Sequence, residues 1–113
     1  MTSGSEKEVF YEIRFERAKP GRGSDLAQWM AEVVIPIHTE AGMEVVGSFV
    51  DRDDEERFVW IRRFGSDEER ERVVDAAHAH PRFATEIEPF ASELFDDEPE
   101  TTRLLPTPGQ RIL

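Results

Sequence analysis

The stretch that decides the fold is Val9-Phe10-Tyr11-Glu12-Ile13-Arg14-Phe15-Glu16-Arg17, closed by Lys19-Pro20-Gly21. Side chains of alternate parity fall into two sets, Val9, Tyr11, Ile13 and Phe15 against Phe10, Glu12, Arg14 and Glu16. A period of two is the signature of a strand, because successive side chains leave a pleated backbone on opposite sides. Pro20, Gly21 and Gly23 then break it. Ser24 is the expected N-cap of a helix, with Asp25 placed to favour its positive end. Leu26, Met30, Val33 and Ile37 continue at helical spacing to Ala41-Gly42, and Pro36 should kink the helix by removing one backbone donor.

Outward from there, Glu44 to Asp51 reads as a second strand and Phe58 to Phe64 as a third. The charged run Asp51 to Arg57 is the expected hairpin loop. Ser66-Asp67-Glu68-Glu69 has the form of a capping box and opens a helix to about His78, with Val73, Val74 and Ala77 on its apolar side. Pro81 begins a further helical stretch in which Phe83, Ile87, Phe90 and Leu94 share a face, with a bend at Pro89. Thr101 to Leu105 supplies a short last strand. The expected organisation is a lead-in over residues 1–8, disordered, one domain over 9–108 and a tail over 109–113.

Strand–helix–strand taken twice, with right-handed crossovers, gives an α+β, ferredoxin-like βαββαβ domain: an antiparallel four-stranded sheet in the order 4-1-3-2 with helices on one face. The helices are expected on the uniformly apolar side, over Tyr11, Ile13, Phe15, Val59 and Ile61. That leaves Phe10, Phe58, Trp60 and Phe64, with Glu12, Arg14 and Arg62, on the other side. Such an aromatic patch exceeds what a monomer usually exposes. A second copy of the sheet is the expected cover, making a homodimeric α/β barrel.

Composition narrows the function classes. Fourteen Lys and Arg against 25 Asp and Glu give 113 residues a net charge of −11. An acidic surface disfavours nucleic acid and anionic membranes, because both bind through neutralised phosphates. With no cysteine, disulfides, iron–sulfur clusters and thiolate zinc sites are excluded. The polar segment Met1 to Glu8 lacks the apolar core of a signal peptide, and no apolar run reaches the ~20 residues of a membrane span, so a cytoplasmic location is expected.

Several short segments occur in a characteristic order: Tyr11-Glu12-Ile13-Arg14, Lys19-Pro20-Gly21, Ile35-Pro36-Ile37, Val46-Gly47, Trp60-Ile61-Arg62-Arg63-Phe64, His80-Pro81-Arg82-Phe83 and Arg103-Leu104-Leu105-Pro106-Thr107-Pro108. Together they resemble the landmarks of a NIPSNAP family domain over residues 9 to 108. The resemblance implies a ferredoxin-like subunit and a dimeric α/β barrel, related to antibiotic-biosynthesis monooxygenases, cofactor-free cyclases and muconolactone isomerases. Many members carry His-Leu-Trp in the third strand where this chain has Trp60-Ile61-Arg62, so no role of that histidine carries over.

The candidate chemistry rests on charges at positions expected inside a barrel. Glu12, Arg14 and Arg62 must be paired or bind a ligand, since an unpaired buried charge is costly. They make either a structural ion-pair group or a carboxylate base with arginines that hold an anionic or enolate-like group. His38 is a second candidate base, or else a surface or capping residue. Trp60 and Phe64 are either packing or a platform for an apolar ligand. His78 and His80 diverge on a helix and do not suggest a metal site. The leading expectation is a cofactor-independent enzyme doing cyclase-, isomerase- or monooxygenase-like proton transfer, with Glu12 or His38 as base. Arg14, Trp60, Arg62 and Phe64 would bind a small apolar or aromatic anion, with no metal or cofactor. A non-enzymatic binding or interaction module, and a haem-handling protein, are the alternatives.

Overall fold

The computed structural model describes residues 8–109. The expected lead-in over residues 1–7 and the last four residues of the tail lie outside them. Strand β1 (Phe10–Arg17) leads through the Lys19-Pro20-Gly21 turn into α1 (Gly23–Trp29), a wider π-type turn at Met30–Val34, and α2 (Ile35–Glu40). Then come β2 (Glu44–Asp51), β3 (Asp54–Phe64), α3 (Asp67–His78), a second π-type turn at Phe83–Ile87, α4 (Glu88–Leu94) and β4 (Glu100–Leu104). The sheet order is β2-β3-β1-β4 with every pairing antiparallel, the expected 4-1-3-2 order read from the other edge.

Local details depart from the sequence reading for identifiable reasons. Ser24 is not the cap; α1 starts at Gly23, with Arg22 at the N-cap position. Gly23 is buried so closely under β3 that a Cβ there would collide with the Glu55 carbonyl. At Gly21 the backbone takes a φ of 79°, which glycine reaches without strain, and its N–H donates to Glu56 Oε2 at 2.8 Å. The proline at 36 sits at the start of α2, directly after the Met30–Val34 turn, and Pro89 sits at the start of α4 directly after the Phe83–Ile87 turn. Proline lacks the N–H that an α-helix needs four residues on, and a π-type turn is one way to accommodate the loss. The charged run after Asp51 is a tight turn rather than a long loop, because its charges pair within the hairpin: Arg17 with Asp54 at 2.6 Å and Arg57 with Asp51 at 3.2 Å. Ser66 caps α3 as expected, accepting from the Glu69 N–H at 3.0 Å.

The faces of the sheet are reversed relative to the expectation. Helices cover the side carrying Phe10, Glu12, Glu16, Phe58, Trp60, Arg62 and Phe64, all of them buried. Tyr11, Ile13, Phe15, Val59 and Ile61, on the other side, are only partly buried. The aromatics decide the matter: Trp60 and Phe64 pack with Leu26, Met30, Val34, Ile37, Val73 and Leu94 into one core, burying more apolar area than the β-branched set could. Charges on that face come along because they satisfy one another. The patch from which a dimer was inferred is therefore covered within the single chain.

Candidate functional site

Register brings the charged residues together first. Glu12 lies opposite Arg62 on β3 and opposite Arg103 on β4. Its Oε1 accepts from Arg62 Nε and Nη2 at 3.2 and 2.6 Å, while Oε2 accepts from Arg70 Nε at 2.6 Å and from Arg103 Nε at 3.0 Å. Arg70 projects onto this group from α3, so one fully buried carboxylate ties three strands and a helix. Burial alone would raise the Glu12 pKa; hydrogen bonds and charge from Arg62 and Arg70 outweigh it and hold the carboxyl below its ordinary value. A carboxylate so engaged has little basicity left.

Next to this group the helix-covered face opens into a cavity of about 400 Å³. Its floor is the sheet, with Arg14, Glu16, Trp60 and Arg62. One wall is the first helical segment, with Trp29, Met30, Val34 and His38. The opposite wall joins Arg70, Val74 and His78 of α3 to Phe83, Ile87, Ala91 and Phe95. The exposed His78, stacked on Phe83 with ring centres 4.7 Å apart, and the exposed Glu88 stand at its edge. An apolar hollow of this size with a few converging polar groups is the usual form of a small-molecule site.

His38 is the buried titratable group of the helical wall. Its Nδ1 lies 2.7 Å from the Val34 carbonyl, which can only accept, so Nδ1 carries the proton and the lone pair of the neutral ring is on Nε2. The ring meets Trp60 edge-on with centres 5.5 Å apart. Burial, against the Val34 bond and aided by the charges of Arg62, His78 and Arg14, pushes the imidazole pKa down to about 4. Arg62 is also shifted down, by burial above all, with Glu12 acting the other way.

Of the residues singled out in the sequence, Arg14, His38, Trp60 and Arg62 line this one cavity. Glu12 stands behind it, engaged by three arginines, and Phe64 is fully buried in the core beside Phe10 at a ring distance of 5.6 Å. Glu16 was placed on the right strand face but not recognised: its Oε2 accepts from Arg14 Nε at 2.8 Å and from Trp60 Nε1 at 3.1 Å. Arg70, Trp29 and Phe83 were also missed. The signal for Glu16 and Arg14 was available in their parity with Glu12; that for Arg70 required knowing which side of the sheet α3 covers. Among the described residues no group of three or more His, Cys, Asp or Glu is arranged to hold a metal ion, and no helix is long and apolar enough to cross a membrane.

No protein-family model and no curated protein gives a significant match to the chain. Solved structures do match. A NIPSNAP family protein of Agrobacterium tumefaciens superposes with a TM-score of 0.80 at 22% identity, over 91% of this chain and 90% of that one. A second from the same organism, described as of unknown function, gives 0.80 at 22% over 95% and 96%. An uncharacterized NIPSNAP-like domain protein of Burkholderia xenovorans gives 0.76 at 20% over 95% and 92%. This chain has the NIPSNAP-type ferredoxin-like fold along nearly its whole described length.

Proposed function

We propose that this NIPSNAP-type domain binds a small apolar or aromatic monoanion in the cavity between sheet and helices and, without a cofactor, moves a proton on it. The observation that carries the reading is His38: a buried, neutral imidazole whose Nδ1–H is fixed on Val34 and whose other nitrogen belongs to a cavity that also holds arginine side chains. Lined by Trp29, Trp60, Phe83 and Phe95, the cavity suits a flat apolar body. Arg14, Arg62 and Arg70 outnumber Glu12 and Glu16 by one charge, which favours a single negative charge on the ligand.

In this reading Nε2 of His38 takes a proton from a carbon or oxygen acid of the ligand. The electron pair left behind moves onto the ligand's carbonyl oxygen as an enolate, held by Arg62 or Arg14. Return of the proton at a different position gives an isomerisation or sets up a cyclisation. An imidazole of pKa about 4 is a weak base, but a bound anion beside it favours the imidazolium and raises that value during the reaction. Glu12 serves as the fixed counter-charge that positions Arg62 and Arg70. Binding without turnover is the second reading, and the two share the same cavity.

A homodimer belongs to the proposal in a revised form. The open sheet face carries Tyr11, Ile13, Phe15, Val59 and Ile61, with Phe49 55% exposed; nothing in the chain covers it, and a second copy of the same sheet is a complementary partner. The test of the whole reading is calorimetric titration with benzoate and larger aromatic carboxylates, followed by proton exchange of bound ligand in deuterated water. His38→Gln should leave binding within a few-fold and abolish exchange. Failure of every aromatic anion to bind would overturn it.

A further inference from the structure

Resting on the cavity reading above, we propose that Glu16 selects the ligand: its Oε1 accepts a hydrogen bond from a hydroxyl group of the bound molecule, so the substrate class is a hydroxylated aromatic or apolar monoanion. The argument starts from a single atom. Glu16 is 2% exposed, and its Oε1 is the one buried side-chain nitrogen or oxygen among the described residues without a hydrogen-bond partner. A buried polar atom left unmade is unusual, and a carboxylate oxygen more so.

The rest of the side chain is fixed. Oε2 is held by Arg14 Nε at 2.8 Å and Trp60 Nε1 at 3.1 Å, both from residues that line the cavity with Glu16. Turning the carboxylate to give Oε1 a donor would break one of these bonds, and the indole N–H would then be orphaned in its place. The donor has to arrive from the cavity. A cationic amine is disfavoured because three arginines already leave the site with excess positive charge. A hydroxyl supplies the donor without adding charge, while Arg62 and Arg70 remain available to an anionic oxygen on the same molecule. The neutral imidazole of His38 lies along the same cavity. The ligand chemistry is thus two-ended, with a hydroxyl at Glu16 and an anion at the arginines.

Four probes of similar size separate these requirements: 4-hydroxybenzoate, 4-methoxybenzoate, benzoate and phenol, each titrated calorimetrically. We expect 4-hydroxybenzoate to bind about tenfold to a hundredfold more tightly than 4-methoxybenzoate, since a site built to accept from a hydroxyl rejects the analogue that lacks one. Glu16→Gln can keep the bonds to Arg14 and Trp60 through its amide oxygen while presenting N–H groups at the former Oε1 position. That variant should erase or reverse the preference. Equal binding of the hydroxy and methoxy probes to the unaltered protein overturns the role of Glu16 while leaving the cavity reading in place. No binding of any of the four overturns both. Because the hydroxy–methoxy comparison needs no variant, a poorly folded Glu16→Gln does not shelter the proposal.

Discussion

Glu12 and Arg62 face each other across β1 and β3, and a single carboxylate oxygen of Glu12 accepts from both Nε and Nη2 of Arg62, at 3.2 and 2.6 Å. Both side chains are almost entirely out of water. Removing one partner of such a pair leaves the other buried and uncompensated, which costs about 3 kcal/mol or more. Arg62→Met should therefore lower the urea midpoint by that equivalent, softened by the remaining bonds from Arg70 and Arg103. A loss below about 1 kcal/mol would show that those two arginines alone satisfy Glu12.

Acid should weaken the fold earlier than carboxylates alone explain. His38 has an ordinary value of 6.5 and a folded value of about 4. Above 6.5 both folded and unfolded chains hold it neutral, and its contribution is fully present. Between 6.5 and 4 the unfolded chain gains a proton that the folded one refuses, so stability falls, by roughly 3 kcal/mol in total once the pH is below 4. Glu12, held below its ordinary 4.5, adds a second loss as the pH falls past that value. Urea midpoints at pH 7.5, 6.0 and 5.0 should decline steadily, and His38→Phe should flatten that decline. A variant that keeps the full slope would assign it elsewhere.

Self-association should respond to Phe49 and not to the core aromatics. Light scattering at micromolar concentration is expected to give twice the chain mass of 13.0 kDa, and Phe49→Asp to shift the population to monomer with little change in melting temperature. A monodisperse monomer for the unaltered protein would remove the dimer. Trp60→Glu should unfold the chain rather than merely dissociate it, since Trp60 is 2% exposed within one chain.

Gly23→Ala should be destabilising by about 1–3 kcal/mol, measured by thermal or chemical unfolding, because the new methyl would force α1 away from the Glu55 backbone. An unchanged midpoint would mean that the helix can slide without cost.

The order of elements was legible because each carries a local signature: strict alternation in Val9 to Arg17, helical spacing from Leu26 to Ile37, a Ser66–Glu69 cap. Strand order followed from the crossover rule. Which side of the sheet the helices cover was not legible, since β1 offers two half-apolar faces and the choice depends on Phe58, Trp60 and Phe64 one strand away. For the same reason His38, Trp60, Arg14 and Arg62 could be named as candidates while their meeting place, and the parts played by Glu16 and Arg70, could not. Tertiary packing decides those, through partners far off in the chain such as Arg70, 58 residues from Glu12.

The two widened turns, Met30–Val34 and Phe83–Ile87, stand on opposite sides of the cavity, each with a proline just beyond. A helix advances about 100° per residue, so a turn that takes in one extra residue resets the angular phase of everything after it. His38 owes its orientation to that reset: with one residue deleted between Met30 and Val34, the helix would be more regular and its imidazole would swing by about a quarter turn, away from Trp60. Irregularity here acts as a setting dial. Chains of this fold that differ by one residue at either turn would present different side chains to the same hollow, so specificity can change through length alone, with the sheet and core left untouched.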